Sequence, residues 1–92
     1  MKYVLLGSLS ADWAKKHPKR VESAKAKLKE LGIKLEAVYY TQGQFDFVDV
    51  VETPDPEALL SFSVWYTTQG YGRIQSMPAF DADTLARAAD KA

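Results

Sequence analysis

The sequence predicts a small α+β domain in which strands and helices follow the order βαββαβ, with a short helix at the end. Three observations predict it. Apolar residues alternate in four short segments, they recur at helical spacing in two longer ones, and glycine or proline separates most of these segments. A chain of 92 residues suits one domain, so we expect a single unit over residues 1–92.

The first half of the chain contains two strands and a helix. Residues 2–7 alternate like a strand, and residues 8–17 are expected to form a loop with at most a short helical turn at residues 12–16. Pro18 suits the first turn of a helix, where its missing N–H costs nothing. Apolar residues then recur at helical spacing up to Gly32, which suits the position after the helix end. Residues 33–41 form the second predicted strand.

The second half repeats this order after a hairpin. Gln-Gly at 42–43 favours a tight turn into a third strand over residues 45–52. Asp55 is a favourable N-cap and Pro56 a favourable first residue for the second helix, which should end near Gln69.

A fourth strand over residues 73–80 and a helix over residues 81–91 complete the prediction. This order is that of the ferredoxin-like fold. Right-handed crossovers give an antiparallel four-stranded sheet of order 4-1-3-2, with both crossover helices on one face.

The other sheet face is expected to contact a second copy of the chain. A tight hairpin places Tyr39 opposite Asp46. In this register the residues assigned to the helix side are Leu35, Ala37, Val48 and Val50. Those assigned to the other side are Val38, Tyr40, Phe45, Phe47 and Val51. Because the second set is too apolar to face water, we expect a homodimer.

Composition excludes some classes of function. There is no cysteine, so disulfides, thiolate nucleophiles and iron–sulfur clusters are excluded. Residues 1–34 carry nine Lys or Arg against three Asp or Glu, whereas residues 35–92 carry three against nine. Because the whole chain is neutral, we interpret the basic half as a solvated helix face and expect no nucleic-acid partner. No segment approaches membrane-spanning length, so we expect a cytoplasmic protein with no membrane partner.

Two segments carry a resemblance to a known family. One is Pro-Lys-Arg-Val-Glu at 18–22, and the other is the hairpin motif Tyr39-Tyr40-Thr41-x-Gly43-x-Phe45-Asp46-x-Val48. Together they resemble the GYD domain family, in whose signature an aromatic–Asp pair follows the hairpin glycine; Phe45 here takes the place of the tyrosine. The resemblance extends from the first strand to Phe80, although Phe62, Trp65 and Tyr66 replace small residues in the second helix. It implies a dimeric α/β barrel, in which two sheets pack face to face, and no established activity.

The predicted topology brings polar and aromatic residues to one end of the domain. Loops and helix ends at one edge commonly form a cleft, and the N-terminus of the first helix favours an anionic group there. The candidate ligand-binding residues are Arg20, Tyr39, Asp46, Trp65 and Arg73.

Each of the main candidates has an alternative interpretation. Asp46 either serves a ligand or acid–base chemistry, or accepts backbone N–H groups from the first loop and stabilises the hairpin. Arg20 either binds a carboxylate or phosphate, or forms a salt bridge to Asp46 or Glu22. Trp65 either lines a pocket or belongs to the core.

Other polar residues are not expected to act in a site. His17 has no obvious orienting carboxylate and no companion histidine, so we expect an exposed surface residue. Glu36 and Asp49 are predicted to face each other across the open sheet, where carboxylates can hold a hard cation. Because nothing else completes a ligand set, we expect them at the hydrated edge of the dimer. No metal or cofactor is expected.

Three functions are consistent with the sequence. The leading hypothesis is a small homo-oligomeric binding domain without catalysis, which holds a small anionic or aromatic molecule near the start of the third strand. The second is a cofactor-independent enzyme with Asp46 as the acid–base group. The third is a structural or protein-interaction module. A pocket of several hundred cubic ångströms near Asp46 would favour the first two.

Overall fold

The computed structural model describes residues 1–92 and contains four strands and three helices. In chain order these are β1 (Lys2–Leu9), α1 (Trp13–Glu30), β2 (Lys34–Tyr40), β3 (Phe47–Glu52), α2 (Pro56–Thr68), β4 (Gly72–Pro78) and α3 (Ala82–Lys91). The predicted order of elements is confirmed. None of the three helices combines the length and the apolar character needed to cross a membrane.

The four strands form one antiparallel sheet in the order β2-β3-β1-β4. This is the predicted order 4-1-3-2 counted from the opposite edge, so the ferredoxin-like fold is confirmed. The core lies between this sheet and the two crossover helices. Its nine buried apolar residues are Leu5, Leu28, Ile33, Phe47, Val51, Leu59, Phe62, Tyr66 and Tyr71.

The start of α2 follows the local sequence signals. The Oδ1 atom of Asp55 accepts a hydrogen bond of 2.7 Å from the backbone N–H of Ala58, and Pro56 occupies the first helical position. This cap satisfies one of the N–H groups that have no partner inside a helix. The predicted N-terminus is therefore confirmed.

Helix α1 begins at Trp13, five residues before the predicted start, and Pro18 lies inside it. Contacts one turn apart stabilise the additional residues. Lys16 Nζ lies 3.3 Å from Asp12 Oδ2, and the Trp13 and His17 rings meet edge to face with centroids 6.1 Å apart. The prediction of a loop over residues 8–17 is thus wrong at both ends, because residues 8 and 9 belong to β1 and residues 13–17 to α1. The contacts offset the loss of the backbone hydrogen bond that Pro18 cannot donate.

The connection between β2 and β3 is six residues long, whereas the sequence predicted a hairpin turn of two or four residues. The backbone N–H of Thr41 donates to the carbonyl of Asp46 at 2.8 Å, which closes a wide loop. Gly43 does not have the positive φ that a tight hairpin turn requires. Tyr39 consequently pairs with Val48, and the predicted pairing with Asp46 is wrong by two residues.

Apart from Leu35, which lies on the helix side as predicted, the strand residues lie on the reverse of their predicted sides. Phe47, Asp49 and Val51 of β3 are buried on the side that carries the helices. Val48 and Val50 alternate with them, are only partly buried and lie on the opposite side. Because both sets are largely apolar, alternation alone did not identify which side the helices cover.

Gly7 makes room for a large side chain on the helix-covered side of β3. It pairs with Phe47, and a Cβ atom at this position would collide with the Phe47 ring, so only glycine leaves room for that ring.

Two strands differ in detail from the prediction. Strand β1 continues past Gly7 to Leu9, although the sequence predicted that this strand ends at Gly7. A bulge between Leu35 and Ala37 also places these two residues on opposite faces, against the prediction.

The face without helices has an apolar centre. We define the open sheet face by the four partly buried residues at this centre, Val4, Leu6, Val48 and Val50. At one edge Lys2 Nζ forms an ion pair of 3.0 Å with Glu36 Oε1. The surface therefore combines an apolar centre with a charged border.

Candidate functional site

A cavity of about 370 Å³ lies between α1, α2 and the helix-covered side of β2 and β3. It is partly open to solvent, and nine of its 13 lining residues are apolar. The lining residues are His17, Arg20, Val21, Ala24, Lys25, Leu28, Leu35, Val38, Tyr40, Phe47, Asp49, Phe62 and Tyr66. A largely apolar wall with a few polar groups is typical of small-molecule sites.

Arg20 places a buried positive charge at this cavity. Its side chain lies on α1 and is only 3 % exposed. The Nη2 atom lies 2.9 Å from Nδ1 of His17, and since a guanidinium has only donors, His17 accepts this bond and carries its hydrogen on Nε2. The Nη1 atom is buried without any partner. The expected salt bridge to Asp46 or Glu22 is not formed.

Asp49 places a carboxylate at the same cavity. It lies on β3 and is 9 % exposed, and its Oδ1 atom has no hydrogen-bond partner. Burial raises the pKa of the Asp49 carboxyl to about 6, and the positive charge of Arg20 counteracts part of this rise. Arg20 and Asp49 do not form an ion pair with each other. Both therefore keep hydrogen-bonding capacity that no group of the chain uses.

Tyrosines contribute the other polar groups of the cavity. Tyr66 of α2 is buried, and this burial raises the pKa of its hydroxyl to about 12, so the hydroxyl keeps its proton at neutral pH. The ring of Tyr40 meets the His17 ring edge to face, with centroids 5.9 Å apart. Arg20, Asp49 and these tyrosines therefore give the cavity charged and hydrogen-bonding groups.

The structure brings only Arg20 of the five predicted ligand-binding residues to the cavity. Tyr39 is 67 % exposed and belongs to the side of the sheet without helices. Arg73 is exposed on β4. Trp65 is partly buried and packs against the aromatic core. The predicted residues thus lie on several sides of the domain.

Asp46, the remaining predicted residue, does not line the cavity. Its Oδ2 atom accepts a hydrogen bond of 2.7 Å from the backbone N–H of Leu9, and its own N–H donates to the carbonyl of Gly7 at 2.7 Å. These bonds join the β2–β3 loop to β1. They are the contacts expected from the structural interpretation of Asp46, and its role with a ligand stays a prediction.

Sequence reasoning missed Asp49. The predicted position at a hydrated edge beside Glu36 is wrong, because Asp49 is buried on the helix side while Glu36 pairs with Lys2. One signal was available. Asp49 alternates with Phe47 and Val51 and is the only charged residue between them on that side of the strand. A carboxylate in such a position must be paired, protonated or available to a ligand.

The surroundings of His17 also differ from the prediction. It was predicted to be an exposed surface residue, but it is partly buried between the rings of Trp13 and Tyr40 and bonded to Arg20. The helix places it one turn before Arg20, which the predicted loop did not. His17 therefore helps to orient the arginine. No group of three or more His, Asp or Glu residues lies close enough together to hold a metal ion.

Comparison with known families agrees with this fold. A family model described as GYD domain matches residues 3–89. The chain belongs to the GYD domain family. The resemblance drawn from the hairpin motif is thereby confirmed.

One relative and two solved structures are informative. A protein of Thermus thermophilus, named glutamine synthetase and cystathionine beta-lyase binding protein, is 28 % identical over 90 residues, which are 92 % of this chain and 95 % of that protein. The crystal structure of FFRP-DM1 has a TM-score of 0.59 at 18 % identity and covers 86 % of this chain and 97 % of its own. The 30S ribosomal protein S6 of Thermotoga maritima has a TM-score of 0.64 at 16 % identity, with coverages of 97 % and 96 %. At such identities the two structures show the fold alone.

Proposed function

We propose that this GYD-domain protein is a binding domain that holds a small molecule in the cavity between α1, α2 and the sheet, without catalysing a reaction. One observation carries the proposal: Arg20 and Asp49 both line this cavity, and Nη1 of Arg20 and Oδ1 of Asp49 are buried without partners. A buried polar atom without a partner costs about 1–3 kcal/mol of stability. A bound molecule with matching groups would remove this cost at both atoms.

The size of the cavity supports an organic ligand. Its volume of about 370 Å³ is within the range of small-molecule pockets. A water molecule occupies only ~30 Å³ of the liquid, so the space exceeds what one bridging water needs. Apolar residues such as Leu28 and Phe62 also line it, and they give water few hydrogen-bonding partners.

The alternative function, a cofactor-independent enzyme with Asp46 as the acid–base group, has less support. The Asp46 carboxylate is bonded to the Leu9 N–H and does not belong to the cavity lining. An acid–base group must reach the proton that it transfers, which requires it to be at the substrate site.

A second candidate function is the binding of other proteins. The supporting observation is the name of the Thermus thermophilus relative, which describes a protein that binds glutamine synthetase and cystathionine beta-lyase. Co-elution of the purified chain with glutamine synthetase from the organism that encodes this chain, in size-exclusion chromatography, would support this candidate. Separate elution of the two proteins would argue against it.

We further propose that the chain forms a homodimer through the open sheet face. Four strands spaced ~4.8 Å apart give a face on the order of 400 Å² per copy, which alone is small for a stable interface. Phe80, which follows β4, and Leu85 of α3 are 73 % and 67 % exposed, and we propose that they add apolar area to this interface. A two-fold axis would bring the apolar centre of one copy onto that of the other.

The ligand-binding proposal can be tested with two alanine positions on α1. Ala24 lines the cavity, whereas Ala26 is exposed and does not. We expect Ala24→Leu to fill the cavity and Ala26→Leu to leave it unchanged. Saturation-transfer NMR with free amino acids, short carboxylates, alkylamines and phenols should detect binders to the wild-type protein and to Ala26→Leu. These signals should disappear with Ala24→Leu. Equal signals from both variants, or none from the wild-type protein, would show that the cavity is not a ligand site.

A further inference from the structure

The cavity contains two opposite charges that are held apart. Arg20 on α1 and Asp49 on β3 are both buried, both line the cavity and are not paired with each other. Nη1 of Arg20 and Oδ1 of Asp49 have no hydrogen-bond partner. A ligand that satisfied only one of them would leave the other buried and unpaired.

We infer that the cavity binds a small zwitterion, a molecule that presents a carboxylate to Arg20 and an ammonium group to Asp49. This inference rests on the proposed function, because it names the class of ligand for the same cavity. The Nη1 atom of Arg20 can donate charge-assisted hydrogen bonds to a carboxylate. An ammonium group has three donors and no acceptor, so it complements the unpartnered Oδ1 of Asp49.

Ligands with a single charge fit less well. A simple anion near Arg20 would be repelled by Asp49, and a simple cation near Asp49 would be repelled by Arg20. These repulsions act in a partly dehydrated space, where the effective dielectric constant is far below that of water. A zwitterion brings both charges and leaves the net charge of the cavity unchanged.

The other groups at the cavity agree with this ligand class. Burial raises the pKa of Asp49 to about 6, so its carboxylate is ionised at slightly alkaline pH and can pair with an ammonium group. Lys25 also lines the cavity but is exposed, so water solvates its charge. Leu28 and Phe62 provide apolar contacts for the carbon chain between the two charged ends of the ligand.

A series of ω-amino acids tests the inference without knowledge of the natural ligand. Glycine, β-alanine, 4-aminobutyrate, 5-aminopentanoate and 6-aminohexanoate separate the two charges by increasing distances. Each is titrated into the full chain by calorimetry at about pH 7.5, beside the alkyl carboxylate and the alkylamine of matching length. We expect at least one zwitterion to bind about tenfold or more tightly than both of its single-charge analogues, equivalent to about 1.4 kcal/mol.

Two substitutions test which residue binds which charged group of the ligand, and a third substitution is the control. Asp49→Asn should remove the advantage of the zwitterion over the matching carboxylate, and Arg20→Met should remove its advantage over the matching amine. Arg73→Met removes an exposed arginine on β4 and should change neither ratio. The comparison of ligands on the wild-type protein needs no variant, so it remains decisive if Arg20→Met does not fold.

The outcomes separate this inference from the proposed function. If simple carboxylates, amines or phenols bind as tightly as every zwitterion, and Ala24→Leu abolishes that binding, the cavity is a ligand site but the inference is wrong. If an Asp49→Asn protein binds the best zwitterion as tightly as the wild-type protein does, the inference is also wrong. If no compound binds in the cavity, both the inference and the proposed function fail.

Discussion

Arg20 and Asp49 face one cavity as buried opposite charges and do not pair with each other. The Nη2 atom of Arg20 is bonded to His17, while Nη1 and the Asp49 Oδ1 have no partner. Removing a charge from water is expensive unless a close partner compensates for it. The chain therefore keeps two groups in an unfavourable state without a ligand, which is typical of sites built for binding and not for stability.

The first prediction is that Asp49→Asn stabilises the protein at neutral pH. Because burial raises the pKa of Asp49 from 3.8 to about 6, ionisation of this carboxyl at pH 7 costs about 3 kcal/mol in the folded state. An amide removes that cost but keeps the shape. Part of the gain is lost because a buried amide also lacks partners. We expect a melting temperature several degrees higher in thermal unfolding without ligand.

The same substitution should change how stability depends on pH. Between about pH 4 and pH 6 the folded carboxyl holds a proton that the unfolded chain has released, so the free energy of unfolding of the wild-type protein falls as pH rises. Asp49→Asn should lose this slope, and the two proteins should have similar stability near pH 4. Asp90→Asn, which removes an exposed carboxylate of α3, is the control. A wild-type protein more stable than Asp49→Asn at pH 8 would contradict the prediction.

The second prediction is that Asp46→Asn destabilises the protein, whereas Asp49→Asn stabilises it. Its carboxylate accepts a hydrogen bond of 2.7 Å from the Leu9 N–H and joins the β2–β3 loop to β1. Asp46→Asn keeps an acceptor but loses the charge-assisted part of this bond. We expect a loss of about 1–3 kcal/mol and a lower melting temperature, measured beside Asp49→Asn. An Asp46→Asn protein that is clearly more stable than the wild type would make Asp46 a functional group.

The third prediction concerns the close approach of Gly7 to Phe47. Any Cβ atom at position 7 would collide with the Phe47 ring, which is buried and cannot move away without displacing the core. Gly7→Ala should therefore destabilise the protein by about 1–3 kcal/mol or more, as measured by urea unfolding. Gly43→Ala is the control, because a Cβ atom there meets nothing and the backbone does not have a positive φ. Equal stability of the two variants would refute this explanation of how the ring is placed.

Local signals in the sequence predicted much of the fold. The Asp55-Pro56 start of α2 and the glycine after α1 act within a few residues, so the sequence alone identifies them. The strand order then follows from general rules of chain connection. The start of α1 was the main error among the helices, since the contacts of Trp13 and Lys16 with neighbouring side chains offset the effect of Pro18.

The candidate site was harder to predict because it depends on contacts between distant residues. Both sides of β3 are largely apolar, and the close contact that accommodates Phe47 on the buried side is with Gly7, far away in the chain. With the sides reversed, Asp49 was assigned to a hydrated edge. Arg20 was predicted as a ligand-binding residue and does line the cavity, but its contact with His17 depended on the first turns of α1, which were predicted as a loop.

The last prediction tests the homodimer through the open sheet face. Val50 lies in this face between Val4 and Ala37. In a monomer, Val50→Lys would extend its ammonium group into water at little cost, but in the proposed dimer the charge would be buried between two sheets. Sedimentation velocity at micromolar concentration should therefore give a dimer for the wild-type protein and a monomer for Val50→Lys. Leu60→Lys changes a residue of α2 that is 64 % exposed and lies outside this face, so it should remain dimeric. A monomeric wild-type protein, or equal dissociation of both variants, would rule out this interface.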